Sequence, residues 1–247
     1  MKFGVRESVQ FYLNLLLPLA GEIMASRPES TQWVVTAPPL YVIPSAANLL
    51  AWEISRHLSV RVVDLRYALP DPQLTRHDLH GGDYSNSDVE QRTRNRQRLH
   101  EGAWAPRIDP EDFRDRAVLF INDINVTGTQ QEFIRRTLES VHPASIDCLY
   151  VIQVEPDLGR ANPEIEYWLN HLHLDTFEDF AEIMARADID YTARCFHRLF
   201  GYSLAQLEPL LRSMDPARRE RLDQLVTREG SYSGEGNKSK RALLREP

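Results

Sequence analysis

The sequence contains no apolar run long enough to cross a bilayer, which takes about 20 such residues. The nearest approach, FYLNLLLPLA at residues 11–20, is interrupted by Asn14 and Pro18 and lacks a small-x-small cleavage pattern. It therefore reads as a buried helix rather than a leader. Cysteine is scarce: Cys148 and Cys195 have no CxxC-like spacing. That argues against a structural zinc site and fits reduced residues of a cytoplasmic protein. An excess of positive charge is also missing. The net charge is −7 and the sequence pI about 5.6, so there is no global electrostatic footprint for nucleic acid, and a phosphate site has to be built locally. No internal repeat is present, and neither a GxxxxGK[ST] loop nor a GxGxxG following a strand occurs.

What is present suits a globular α/β protein: 247 residues, 42% hydrophobic and 26% charged, enough for one large domain or a medium domain with an extension. A helix is expected over 7–25, then a strand at Trp33-Val34-Val35-Thr36, which Ala37-Pro38-Pro39 ends because proline cannot donate to a ladder. Ser45 is a good N-cap for a helix whose Ala47, Leu50, Ile54 and Leu58 share a face. VRVVDL at 60–65 reads as the next strand, so this is a βαβ unit and the sheet is parallel. Residues 70–112, rich in Pro, Gly, Asp, Asn and Arg, form a long loop, which in a compact domain is either functional or disordered. The apolar run Ala117–Ile121 is a central strand covered on both faces. A helix carrying Phe133, Ile134, Thr137, Leu138 and Val141 follows, then a strand over 147–154. From about 163 the chain turns helical, with starts marked by Asp175 with Glu178, Ser203 with Gln206, and Asp215-Pro216. Residues 230–247 lack a hydrophobic face and read as a mobile tail.

The chemistry concentrates in VLFINDINVTGTQQ, residues 118–131. A buried strand ends in a carboxylate, turns through Thr-Gly and enters a helix. Such a helix start presents unsatisfied N–H groups and the positive end of the helix dipole, which together trap anions. Gly128 permits close approach of a phosphate, and Thr127 and Thr129 can add hydroxyl donors. Asp123 is placed to bond sugar hydroxyls or to assist a divalent metal. The bland alternative is a plain strand-to-helix turn.

This stretch resembles the ribose-phosphate signature of the type I phosphoribosyltransferases, in which a hydrophobic strand meets two acidic residues, a few variable positions and Thr-Gly. VVTAPPLYVIPSAANLLAWEI and DYSNSDVEQRTRNRQRLHEG extend the likeness over roughly residues 30–155. It is especially similar to phosphoribosyltransferase-like proteins of bacterial stress-response and conflict gene clusters, in the Tyr-Ser, the Arg/Asn-rich run and Asp112-Phe113-Arg114. The resemblance implies a parallel-sheet type I phosphoribosyltransferase fold flanked by helices. Its α/β domain would span 1–160 and include the N-terminal helix, with a helical extension at 161–229 and the tail beyond. It further implies that the chain binds phosphoribosyl pyrophosphate (PRPP) with Mg2+ and transfers phosphoribosyl to an unidentified acceptor, releasing pyrophosphate.

The implied roles fall on particular residues. Asn122, Asp123, Val126, Thr127, Gly128, Thr129 and Gln130 would hold the ribose and 5′-phosphate, Asp123 also being the metal ligand. Ala37, Pro38, Pro39, Leu40 and Tyr41 would form the pyrophosphate loop, chiefly through backbone amides. Arg92, Arg94 and Arg96, with i, i+2 spacing, would join Asp123 in catalysis by clamping pyrophosphate as the loop closes. Their alternatives are a solvated loop or a nucleic-acid contact. Tyr84 would be a lid over the acceptor. The sequence departs from the pattern at Asn122, where one acidic charge is missing, at Gln130, where a hydroxyl is missing, and at Val126, which stands where purine-salvage enzymes place a base-contacting aspartate. The competing readings are a non-catalytic PRPP or nucleotide-binding regulator, or a toxin effector of an antiviral defence system held by a protein or nucleic-acid partner. A homo-oligomer is left open.

Overall fold

A computed structural model describes residues 1–67, 106–171, 174 and 176–246. Helix α1 (Arg6–Ala25) precedes strand β1 (Trp33–Thr36), helix α2 (Ala46–Leu58) and strand β2 (Arg61–Val62). Strands β3 (Arg66–Tyr67) and β4 (Pro106–Arg107) form a small antiparallel pair. A turn of helix α3 (Pro110–Phe113), capped by Asp109, leads into β5 (Ala117–Asn125), α4 (Thr129–Glu139) and β6 (Ser145–Gln153). The main sheet has the order β2-β1-β5-β6 and every neighbouring pair in it is parallel.

Alternation along the central strands produces two cores. Val35, Leu119 and Ile121 face α1 and α2, whereas Val34, Val118 and Phe120 face α4, where Ile134 and Leu138 are buried. Burial on both faces is why Ala117–Ile121 is apolar without interruption. The chain crosses from β1 to β2 on one side and from β5 to β6 on the other, so its direction reverses between β1 and β5. Open α/β sheets bind ligands at such a switch point, outside the carboxyl ends of the strands.

A third core belongs to the C-terminal helices: α5 (Pro156–Ala161), α6 (Ile165–His171), α7 (Phe177–Ala185), α8 (Ala193–Gly201), α9 (Leu204–Ser213), α10 (Pro216–Glu229) and α11 (Lys238–Arg245). Phe180, Phe196, Leu207 and Leu222 lie at its centre, and it takes in Phe3 and Ile43 from the N-terminal half. No helix among the described residues is long and apolar enough to cross a membrane.

Several expectations need correction. The strand expected over 60–65 is confined to Arg61–Val62. After Val63 donates to Val35, the chain leaves β1 to bond the segment after it: Leu40 N–H donates to Leu65 and Tyr67 N–H donates to Leu40. The end of the 70–112 loop is regular structure, namely β4 and α3. Thr176 with Asp179, not Asp175 with Glu178, forms the capping box of α7, because the Thr176 hydroxyl receives the Asp179 N–H at 3.1 Å. Helix α1 buries Val9, Leu13, Leu16 and Ala20 but leaves Phe11, Leu15 and Leu19 exposed, because only one of its faces meets the sheet layer. The last residues do have an apolar face. Leu243 and Leu244 of α11 are buried against the C-terminal core, and Tyr232 stacks on Phe200 with ring centroids 4.4 Å apart. Leu244→Ala is therefore expected to cost about 2–4 kcal/mol of stability by urea unfolding; a loose tail would give no change.

Candidate functional site

Nine residues of β5 carry the chain to Asn125, and the turn Val126-Thr127-Gly128 delivers it into α4. Gly128 has φ +77, a left-handed conformation that glycine adopts without the steric cost of a Cβ. Its N–H donates to the Asn125 carboxamide at 3.0 Å, while the other end of that carboxamide donates to Gln131 at 2.7 Å and Gln153 at 3.0 Å. Asn125 is buried, so this network fixes the turn before any ligand arrives. The Thr127 and Thr129 hydroxyls lie 3.0 Å apart. Gly128 at the start of α4 supplies no side-chain cap; the Thr129 N–H makes a long contact, 3.4 Å, to the Thr127 hydroxyl, and the N–H groups after it are presented outward. They border a cleft of about 510 Å³ whose wall includes Thr127, Gly128, Thr129, Arg135 and Arg160. The helix-start N–H groups and the two hydroxyls are what the turn offers a phosphate, while Arg135 and Arg160 are paired with Glu139 and Asp157.

Two of the three departures in the loop, Asn122 and Gln130, meet each other. The Asn122 amide makes a long contact, 3.4 Å, to the Gln130 side chain, and its oxygen accepts the Asp123 N–H at 2.9 Å. Asn122 is nearly inaccessible. It braces the end of the strand against α4 and presents little to a ligand.

Asp123 has both oxygens engaged. One accepts the Ile124 N–H at 2.7 Å, and the other pairs with the Lys2 ammonium at 2.5 Å. Burial pushes its carboxyl upward, but the charge and hydrogen bond of Lys2, the Ile124 N–H and the Arg194 guanidinium outweigh that and hold it below the usual carboxylate value. Lys2 arrives on a docked N-terminal arm. Its carbonyl accepts the Thr192 hydroxyl at 2.7 Å, Phe3 O accepts the Cys195 thiol at 3.2 Å, and Gly4 O accepts the Asp190 N–H at 2.9 Å. A Cβ on Gly4 would lie 1.7 Å from Asp190 O, and φ there is +76, so only glycine fits. Burial raises the Cys195 thiol to about 11, which leaves it an inert packing group.

The segment after β1 lies beside this loop, because β1 and β5 are neighbours. Ala37, Pro38, Leu40 and Tyr41 are buried and Pro39 half-buried. The N–H groups of Val42 and Ile43 both donate to the Glu229 carboxylate, at 2.9 and 2.8 Å, and Glu229 is only 4% exposed. The Leu40 N–H goes to Leu65 and the Ser45 N–H to Asn48, while Pro38, Pro39 and Pro44 have none to offer. Few amides remain for an added anion.

Asn122, Asp123, Val126, Thr127, Gly128, Thr129 and Gln130 are thus brought together, with Ala37–Tyr41 alongside. Arg92, Arg94, Arg96 and Tyr84 lie outside the described residues. Reading the sequence missed Lys2, Asn125, Arg194 and Glu229. Asn125 alone left a signal, a carboxamide at a strand end three residues before a glycine, the spacing of a side-chain latch onto a turn. Among the described residues no group of three or more His, Cys, Asp or Glu could hold a metal ion. Asp123, the one carboxylate on this loop among the described residues, is already paired with Lys2, so the described donor set does not fit a resident magnesium ion. A larger cleft, about 690 Å³, opens at the amino end of the sheet beside Trp33. Its arginines are spent within the protein: Arg27 on Asp147, and Arg61 and Arg116 on Asp112.

A family model described as PRTase ComF-like matches residues 21–238. Among solved structures, the purine phosphoribosyltransferase from Pyrococcus horikoshii Ot3 is similar over 61% of this chain and 85% of that one, at 10% identity and a TM-score of 0.34. No curated protein matches the sequence.

The depressed Asp123 carboxyl predicts a pH signature. Its stabilising contribution is complete above the unfolded carboxylate value of about 4 and is lost as pH falls through the lower folded value. The stability difference between wild type and Asp123→Asn, from urea unfolding, should therefore be larger at neutral pH than at about pH 3. A constant difference would mean that the ion pair with Lys2 contributes nothing.

Proposed function

Since the chain belongs to the ComF-like phosphoribosyltransferase family, we propose that it binds a 5-phosphorylated ribose at the switch point between β1 and β5. The observation that carries this reading is the preformed turn 125–129, held by the Asn125 carboxamide and opening onto the uncapped start of α4. The phosphate sits on residues 126–130 and the ribose hydroxyls meet Asp123. In the family's reaction PRPP is the donor. A nucleophile's lone pair forms the new bond to the anomeric carbon, and the bond to pyrophosphate breaks with its electrons leaving on that group. Positioning and charge stabilisation supply most of such catalysis. Here Arg92, Arg94 and Arg96 would receive the leaving anion and Tyr84 would cover the acceptor. Magnesium enters this reading as an ion carried by the donor's own diphosphate oxygens.

A second reading is favoured by Asn122 and by the engaged state of Asp123: a protein that binds the ribose phosphate and reports it to a protein or nucleic-acid partner without transfer. The effector role in bacterial defence belongs with this reading.

Calorimetric titration of PRPP tests the site itself. Thr127→Val and Asp123→Ala are each expected to weaken binding about tenfold or more, the loss of a hydrogen bond to a charged group. Unaltered affinity in both variants would remove residues 123–129 from the site. Pyrophosphate release in the presence of candidate acceptors would separate transfer from binding alone.

A further inference from the structure

The carboxylate read above as the ribose ligand is not alone in its crevice. Lys2 reaches it from an arm that forms no part of the α/β layer. We infer that Lys2 is a further binding residue of the ribose site, one that pairs with Asp123 and fixes it while the polyanionic donor settles, and that the C-terminal helices hold it there. The inference rests on the ribose-phosphate reading above and adds a residue to that site.

The arm's contacts place Lys2 in the crevice. Its carbonyl accepts the Thr192 hydroxyl at 2.7 Å, and the next residue, Ala193, donates its N–H to Pro44 O at 2.8 Å. Pro44 ends the segment that leaves β1, while Asp123 stands near the carboxyl end of β5. Lys2 therefore joins the start of α8, where it abuts the segment after β1, to the end of β5. That is the switch point itself. Neither partner is sealed: the Lys2 and Asp123 side chains remain 21% and 17% exposed, so a ligand on Asp123 meets the ammonium too. The arm is fastened further along, where Phe3 O accepts the Cys195 thiol, Gly4 O the Asp190 N–H and Asp188 O the Arg6 N–H.

Charge decides what the ammonium does there. PRPP brings a 5′-phosphate and a diphosphate to within a sugar's length of Asp123, and an unpaired carboxylate would repel both. Lys2 cancels that charge, and Arg194, two residues beyond Thr192, adds to the positive field. The ion pair does not exhaust Asp123. Two carboxylate oxygens offer about four lone-pair sites. Ile124 N–H takes one and Lys2 another, which leaves sites for sugar hydroxyls. The ammonium, with three donors in all, keeps some of its own for the ligand. Lys2 thus has no need to withdraw when the donor enters.

The test is calorimetric titration of PRPP in millimolar magnesium into wild type, Lys2→Met, Lys2→Arg, Thr192→Val, and Asp123→Asn with and without Lys2→Met. A thermal melt of each variant checks that it is folded. Lys2→Met is expected to lose about tenfold in affinity, and Lys2→Arg to recover most of it, as for a hydrogen bond between charged groups. Thr192→Val keeps the side chain's shape, removes its bond to the arm and leaves Lys2 intact, so it should weaken binding about threefold. In the Asp123→Asn background the loss from Lys2→Met should shrink to about twofold, because the two residues act as a pair. Lys2→Met binding as tightly as wild type would overturn the inference. Tighter binding would also overturn it, and would make the arm a strap that has to open. A loss that persists undiminished beside Asp123→Asn would overturn the pairing. If Thr127→Val weakens binding in any of these cases, the phosphate site stands and this inference alone falls. Wild type without affinity for PRPP would sink both.

Discussion

A carboxylate nearly closed off from water has to find donors, and Glu229 takes its two from the main chain of Val42 and Ile43. Much of the architecture around the site depends on that contact. It fastens the last residue of α10 to the segment leaving β1, while the Ile43 side chain is buried among the C-terminal helices. The helical layer is thereby joined to the α/β layer at the carboxyl edge of the sheet. Amides that would otherwise be open to an anion become part of the frame.

The N-terminal arm closes the other side by the same means. Met1 to Val5 is held by hydrogen bonds to residues 190–195 and by its apolar side chains, with Phe3 and Val5 buried and Phe3 packing against Phe180 at 6.1 Å. Its effect is felt at Asp123, which without Lys2 would be a largely buried and unpaired carboxylate beside a loop built to attract anions. What remains open is the start of α4, where the Asn125 carboxamide holds the turn and Gly128 gives it shape. Asn122 and Gln130, two of the departures from the family pattern, touch each other.

The sequence was informative wherever local chemistry settles structure. Ser45, Ser203 and Asp215 cap helices as their side chains dictate. The apolar run at 117–121 marks a strand covered on both faces, and the Thr-Gly turn marks the helix start that follows. These depend on neighbours a few residues away. Lys2 and Glu229 do not. Their partners are far along the chain, Glu229 being 186 residues from Ile43, and a lone lysine or glutamate carries no mark of the fold that will bury it. The final helix was missed for a related reason. Leu243 and Leu244 are only two apolar residues in a run of charge, and they become a face when α9 and α10 provide something to pack against. The edge strand after α2 was overextended because VRVVDL keeps its β-branched character past the point where its partner changes from β1 to Leu40. Thr176 took the cap expected at Asp175 because the hydroxyl one residue later reaches the N–H of Asp179.

A crystal structure of the protein grown with ribose 5-phosphate in the absence of divalent cations would test the account most directly. The phosphate is expected on the N–H groups of residues 127–130 and the hydroxyls of Thr127 and Thr129, with the sugar hydroxyls at Asp123. A phosphate bound away from this turn, at residues 40–43 for instance, would contradict that placement.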